Sequence, residues 1–166
     1  LEFRRVLFRS KRADSIYEPG VRSGAWVKYK TFKEQEFVVG GYRLGSDCQD
    51  LECLLVGYYE GQKLRFAAKV KGGFSPESKE YLLRQFRGLV IKTCPFVPAP
   101  RCKGPGLEQS NRFSAEERRK CVWLKSKVIV QVGFTEWTEG GHLRHSIFKG
   151  PREDKVAREV VREAPR

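Results

Sequence analysis

The segment from Arg144 to Lys155, RHSIFKGPREDK, concentrates side chains that bind phosphate. Its basic residues are Arg144, His145, Lys149, Arg152 and Lys155, and its acids are Glu153 and Asp154. A guanidinium group binds phosphate oxygens in a bidentate manner, whereas an ammonium group acts as a mobile point charge. Both types around one bend suit a polyphosphate or a nucleic-acid backbone. Composition alone leaves a solvated basic tail equally open.

A second pair of cations lies in WVKYK at 26–30. The alternation predicts a β-strand with Lys28 and Lys30 on one face, about 6.6 Å apart along the strand. Two ammonium groups this close repel each other unless an anion or a carboxylate lies between them. The alternative is an exposed strand edge that lysines protect from aggregation.

The overall charge indicates a polyanionic partner. The chain has 166 residues, 33 of them Lys or Arg and 20 Asp or Glu, for a formal net charge of +13. Nucleic acid is the leading candidate. An acidic membrane surface is second, but no segment predicts a basic amphipathic anchor helix or a transmembrane span. A hydrophobic content of 40% predicts one folded domain with a true core.

The five cysteines do not indicate a disulfide framework or a metal site. Their number is odd, their spacing is irregular and they form no CxxC pair. The two histidines, His142 and His145, lie far along the chain from most of them, which argues against zinc. We expect reduced, structural thiols in a cytoplasmic protein. The five are Cys48, Cys53, Cys94, Cys102 and Cys121.

The elements that must position these groups are mostly strands. Alternating or continuous apolar runs predict strands at 26–30, 36–44, 51–60, 64–71, 123–137 and 142–148. A bulge is expected at Gly40–Gly41, and a hairpin turn at 60–62. Ser75 and Pro76 suit the start of a helix with an apolar stripe at Leu82, Phe86 and Leu89. Residues 95–120 read as a long mobile loop, and the last fourteen residues as a short helix.

Three meandering strands, one helix and two further strands follow the order of an OB-fold, a five-stranded Greek-key barrel that often binds oligonucleotides. The predicted fold class is therefore mainly β, with one helix between strands three and four of the barrel. Such barrels support many functions, so the fold alone does not specify the ligand.

Two motifs resemble those of the ATP-dependent DNA ligases. RSGAWVKYK is similar to the region of their motif V, and VIVQVGFTEWTEGGHLRHSIFKGPREDK is similar to the end of their OB domain with motif VI last. The likeness is greatest to the bacterial ligases of double-strand break end joining, the DNA ligase D type, and extends over residues 17–163. It implies a bacterial cytoplasmic, nucleoid-associated and monomeric protein. Its partners would be nicked or broken duplex DNA and end-joining repair proteins.

The resemblance also implies roles for individual residues. Lys28 and Lys30 would contact the α-phosphate of ATP, and Arg152 and Lys155 the β- and γ-phosphates. Asp154 would help to orient these phosphates for departure, and Arg144 would supply a second phosphate contact. ATP and Mg²⁺ would be required, with the metal ligands in an upstream domain. Charge neutralisation by such groups is what phosphoryl transfer needs.

The chain departs from the family in one respect, because it has no KxDG tetrapeptide to supply the nucleophilic lysine. With no Met at position 1, this predicts a carboxy-terminal fragment that does not ligate alone. We expect a foreign segment at 1–10, the end of a nucleotidyltransferase domain at 11–31, the OB domain at 32–158 and a tail at 159–166.

Two other functions stay open at this stage. One is a non-catalytic OB-fold module in which Tyr42, Tyr58, Tyr59 and Phe66 stack on bases, although core packing fits most of them better. The other is a different covalent nucleotidyltransferase of the same architecture, such as an RNA ligase or a capping enzyme.

Overall fold

Eleven strands and two α-helices make up the described part of the chain. The structure, a computed structural model, describes residues 7–16, 19–20, 26–30, 32–45, 50–97 and 115–163. The strands are β1 (Leu7–Lys11), β2 (Trp26–Lys30), β3 (Lys33–Leu44), β4 (Leu51–Glu60), β5 (Lys63–Val70), β6 (Val90–Ile91), β7 (Val122–Leu124), β8 (Ile129–Phe134), β9 (Glu136–Trp137), β10 (Leu143–Arg144) and β11 (Ile147–Arg152). The helices are α1 (Pro76–Phe86), α2 (Ala115–Arg119) and a 3₁₀ helix at Ala157–Glu159.

The main sheet closes on itself as a barrel. Its strands run in the order β11, β8, β3, β4, β5, and each neighbouring pair is antiparallel. The ends of this order meet where Gly72 forms a parallel bridge to Ile147 and the N–H of Phe148 donates to the carbonyl of Gly72 over 2.8 Å. Five strands closed by one parallel contact, with α1 between the third and fourth, form the predicted OB-fold.

The strands are apolar on both faces because each face is covered. Phe37 and Val39 of β3 pack inside the barrel with Val56, Val130 and Val132. Val38, on the opposite face, packs with Leu55, Ile129, Ala157 and Val160 in a second cluster. The side-chain period of two in a strand produces this division. Glu36 therefore shares the outer face of β3 with Val38.

Two predicted local features are confirmed. The β3–β4 register shifts between Val39 and Gly41, as expected for a bulge at Gly40–Gly41. The hydroxyl of Ser75 accepts from the N–H of Ser78 at the start of α1, and the hydroxyl of Ser78 accepts from the N–H of Ser75. This reciprocal cap satisfies two donors that the helix itself leaves unpaired.

The predictions for the second half of the barrel need correction. The continuous strand expected at 123–137 is divided into β7, β8 and β9, because a turn at 125–127 intervenes. Both β7 and β8 pair with β3, and β7 also pairs with β6. The strand expected at 142–148 is divided at His145, whose φ is +52°.

The two ends of the chain also differ from expectation. The expected carboxy-terminal helix is a single 3₁₀ turn, because the backbone around Val160 pairs with Tyr59 instead, the N–H of Tyr59 donating to the carbonyl of Val160 over 2.7 Å. At the other end, β1 pairs with β2 in an antiparallel register that sets Arg9 opposite Lys28. The sequence did not indicate this connection, and the foreign origin of residues 1–10 stays a prediction.

The loop expected at 95–120 contains α2, while residues 98–114 lie outside the described ranges. In the part of the chain that the structure describes, no helix combines the length and apolar character needed to cross a membrane.

Candidate phosphate-binding site

The site begins where β11 leaves the barrel. Arg152 lies opposite Ile129 at the end of the β11–β8 pair, and the chain then turns. The turn lets Asp154 bind the guanidinium of Arg152 with both carboxylate oxygens, Nε donating over 2.9 Å and Nη2 over 2.8 Å. These bonds hold the pKa of the Asp154 carboxyl below its ordinary value and the pKa of Arg152 above it.

A carboxylate from β3 bridges the two cations of this segment. Oε1 of Glu36 lies 3.2 Å from Nη2 of Arg152, and Oε2 accepts from Nζ of Lys155 over 2.5 Å. The hydrogen bond from Glu36 raises the pKa of Lys155. The side chain of Glu36 is only 12% exposed, whereas those of Arg152 and Lys155 are 39% and 43% exposed. The cations therefore cover the carboxylate on its solvent side.

The sheet register explains how Glu36 reaches this segment. Glu36 pairs with Gln131 of β8, and Gln131 pairs with Gly150 of β11, so the three residues form one row across the sheet. The β11–β8 register shifts between Phe148 and Gly150. Lys149 lies at this irregularity and pairs with Glu34 at 3.2 Å.

The cluster is electrically balanced rather than basic. Its cations are Lys149, Arg152 and Lys155, and its anions are Glu34, Glu36 and Asp154. The basic phosphate cluster expected from the 144–155 segment is therefore already matched by carboxylates, two of which come from another strand. The pairs are too exposed to be worth much individually in water.

The segment after Lys155 is anchored to the barrel. Ala157 and Val160 are 9% and 3% exposed. The side-chain amide of Gln35 donates to the carbonyl of Val161 over 2.8 Å. With β11 on one side and this anchor on the other, residues 152–155 are held at a fixed place on the barrel.

Comparisons with known proteins identify the family of the chain. The family model "ATP dependent DNA ligase C terminal region" matches residues 48–155. The chain belongs to this family. It is 34% identical over 157 residues to the multifunctional non-homologous end joining DNA repair protein LigD of Mycobacterium tuberculosis H37Rv, covering 93% of this chain and 19% of that protein. LigD of Pseudomonas aeruginosa PAO1 is 32% identical over 159 residues, covering 93% and 17%.

Solved ligase structures have a similar fold. The ligase domain of M. tuberculosis LigD matches with a TM-score of 0.66 and 33% identity, over 92% of this chain and 46% of that one. A mycobacterial DNA ligase D complexed with ATP and MES matches with a TM-score of 0.62 and 34% identity, over 92% and 45%. The chain thus spans about a fifth of the length of the curated relatives and under half of these ligase structures.

The ligase motifs are only partly brought together among the described residues. Arg152, Asp154 and Lys155, predicted to belong to motif VI, converge as above. Arg144 pairs with Glu136 across the β10–β9 ladder, on a different strand from Arg152. Lys28 and Lys30 lie on β2, but their side chains fall outside what the structure describes. Their phosphate contacts stay predictions, as does that of Arg144.

Sequence reasoning missed Glu34 and Glu36. The signal was present as KEQE at 33–36, where two acids with a spacing of two begin a strand and so share a face. Their partners could not be read from the sequence, because Lys155 lies 119 residues from Glu36.

The sequence analysis also missed a cationic surface at the β6–β7 ladder. Residues 81–97 and 118–135 contain no Asp or Glu. The two segments are joined by the β6–β7 pairs and by the N–H of Lys125, which donates to the carbonyl of Leu89 over 2.8 Å. We call the exposed cations here the basic ribbon: Arg84, Arg87, Lys92, Lys125 and Lys127. Within the described ranges none of the five forms an ion pair.

A second charged cluster is structural. A cavity of about 550 Å³ is lined by Arg43, Glu52 and Glu117. Nε of Arg43 donates to Glu52, and Nη1 to Glu117, each over 2.7 Å, so these charges satisfy one another. Burial raises the thiol pKa values of the nearby Cys53 and Cys121 to about 11, which keeps both protonated at neutral pH and excludes them as nucleophiles.

Proposed function

We propose that this chain is the carboxy-terminal part of an ATP-dependent DNA ligase that joins DNA breaks in repair. It would supply motif VI to the adenylylation step and a DNA-binding surface to the later steps. The observation that carries the proposal is the convergence of Arg152, Asp154 and Lys155 on one fixed turn, in a chain that belongs to the ligase family.

In the first step a lysine of the nucleotidyltransferase domain attacks the α-phosphorus of ATP. The bond to the bridging oxygen breaks, and pyrophosphate leaves with the electron pair. Arg152 and Lys155 would bind the oxygens of the leaving group, where negative charge develops. Asp154 grips Nε and Nη2 of Arg152 and so fixes the plane of the guanidinium. Preorganised cations of this kind act mainly on the transition state.

The other predicted phosphate-binding residues are supported by their sequence match to ligase motifs alone. Lys28 and Lys30 are proposed as α-phosphate contacts from their match to motif V. Mg²⁺, when bound, would neutralise charge on the phosphate oxygens. The described residues hold no group of three or more His, Cys, Asp or Glu side chains suited to a metal ion, so we assign no metal ligand to them.

We propose the basic ribbon as the surface that binds DNA. Its five cations are exposed and form no ion pair within the described ranges, so their charge is available to a phosphate backbone. Contacts of this kind release counterions and supply affinity without reading sequence. Of the four aromatic side chains considered for base stacking, Tyr42, Tyr58 and Phe66 are buried or stacked on other residues, and Tyr59 is half-buried against the second core cluster. Phe66 and Tyr58 are 7% and 8% exposed, and Tyr42 stacks on Phe86 with ring centroids 5.0 Å apart.

Adenylylation by a fusion protein tests the motif VI role. Residues 17–166 would follow the nucleotidyltransferase part of the M. tuberculosis LigD ligase domain, and AMP labelling would be timed in a single turnover with ATP. We expect Arg152→Ala and Lys155→Ala each to slow labelling by about 10- to 100-fold, because each removes a cation that would stabilise the negative charge developing on the pyrophosphate. Lys63→Ala removes an exposed cation at the β4–β5 turn that has no contact with Arg152 or Lys155 among the described residues, and it should leave the rate unchanged. Unchanged labelling in both motif VI variants would refute the assignment.

A further inference from the structure

The charge balance at motif VI has a consequence for how the site works. Glu36 is the most enclosed charged group there, and its two oxygens contact different cations, Arg152 and Lys155. We propose that Glu36 acts as an internal anion, which holds these cations together while the site is empty and is exchanged for the phosphates of the leaving group. This inference rests on the proposed role of motif VI.

The contacts leave room for such an exchange. Nε and Nη2 of Arg152 face carboxylates, while Nη1 has no hydrogen bond among the described residues. Nζ of Lys155 has three donors, one of which Glu36 accepts. Both cations are about two-fifths exposed. An incoming phosphate can therefore contact each cation from the solvent side before the contact with Glu36 breaks.

Charge favours the phosphate in this competition. Glu36 offers one negative charge to two cations, whereas pyrophosphate carries several charges on closely spaced oxygens. Partly exposed carboxylate pairs are weak in water, so a more highly charged anion displaces them at small cost. When pyrophosphate departs, the carboxylate pairs with both cations again. Glu36 thus weakens the binding of pyrophosphate as a product and leaves the cluster without net charge after its release.

Glu34 provides a matched control on the same face of the same strand. It pairs with Lys149 alone at 3.2 Å, and its side chain is 46% exposed against 12% for Glu36. Glu34→Gln and Glu36→Gln change the net charge of the chain by the same amount. A difference in pyrophosphate affinity between the two variants therefore reports the local contact with Arg152 and Lys155 rather than the change in net charge.

Binding of inorganic pyrophosphate to the full chain, measured by titration calorimetry, tests the proposal. We expect Glu36→Gln to tighten binding about tenfold, because two charged hydrogen-bond donors lose their internal competitor. Glu34→Gln should tighten it by about twofold at most, as expected for a screened exposed charge. The side chain of Asp is shorter and reaches the two cations less well, so the affinity of Glu36→Asp for pyrophosphate should lie between those of wild type and Glu36→Gln. Thermal melting of each variant establishes that the fold is retained.

The Arg152→Ala background separates this inference from the proposed function. If the gain from Glu36→Gln shrinks there and disappears in the Arg152→Ala, Lys155→Ala double background, the carboxylate acts through these two cations as proposed. Equal gains from Glu36→Gln and Glu34→Gln, or weaker binding by Glu36→Gln, would overturn the inference while leaving the motif VI role intact. If neither Arg152→Ala nor Lys155→Ala changes the affinity for pyrophosphate in any background, the proposed function is overturned instead.

Discussion

Arg152 and Lys155 show how far a residue type and its spacing reveal chemistry. Their positive charges and the two acids between them predicted a phosphate-binding segment, and the paired hydrogen bonds between Asp154 and Arg152 follow from a separation of two residues. Their resting partner, Glu36, could not be predicted, because only the sheet register brings β3 and β11 to one row. Local spacing thus indicates which groups can bind phosphate, while tertiary pairing determines what they contact before it arrives.

His142 provides a test at the same scale. Burial lowers its pKa below the ordinary value of 6.5, its Nδ1 has no hydrogen-bond partner among the described residues, and its ring lies 5.8 Å from that of Phe66. Below about pH 6.5, His142 therefore takes up a proton more readily in the unfolded chain than in the folded chain. Stability from the neutral imidazole is fully present above that pH and is lost as the pH falls.

We expect the free energy of unfolding in urea to drop between pH 7 and pH 5, by at most about 1.4 kcal/mol per pH unit from this group. His142→Gln should flatten that dependence. His145→Asn is the control, since Asn tolerates the φ of +52° at position 145. An unchanged pH dependence in His142→Gln would show that another group is responsible.

At the scale of elements, sequence patterns succeeded where strands are long and failed where they are short. The ten residues of β4 and the start of α1 were predicted because apolar periodicity and capping residues mark them. β6 has two residues and β7 three, which is too short for a period to appear. The 125–127 turn contains no Gly, Pro or Asn, so nothing in KSK indicated that the apolar run would break.

Closure of the barrel depends on Gly73. Its φ is +92°, and a Cβ there would lie 2.2 Å from the carbonyl oxygen of Phe148. We expect Gly73→Ala to lower the free energy of unfolding by about 2–4 kcal/mol, because both the left-handed backbone and the clash oppose the side chain. Urea denaturation measures the difference.

Gly61 separates these two causes. It also has a positive φ, +59°, but no atom lies within 4 Å of its Cβ position. Gly61→Ala should therefore cost only about 1–2 kcal/mol, the left-handed penalty alone. Equal losses in the two variants would show that the contact with Phe148 does not matter to closure.

At the scale of the whole molecule, the formal charge of +13 is unevenly distributed. The motif VI cluster is neutral at rest, whereas residues 81–97 and 118–135 have eight Lys and Arg and no acid. Net charge predicted a polyanionic partner but did not separate the proposed phosphate site from the proposed DNA surface. The charge balance of each segment, together with the strand pairing, is the basis on which we propose two separate surfaces.

The central claim is that these two surfaces serve different steps of ligation. Single-turnover kinetics of the fusion protein test it. One reaction follows AMP labelling from ATP without DNA, and the other follows sealing of a nick that already carries 5′-AMP. The Arg152→Ala, Lys155→Ala double variant should slow labelling more than tenfold and leave sealing within about twofold. The Arg87→Gln, Lys125→Gln, Lys127→Gln variant should do the reverse at subsaturating DNA, because it loses about three phosphate contacts. Slowing of the same step by both variants would contradict the account.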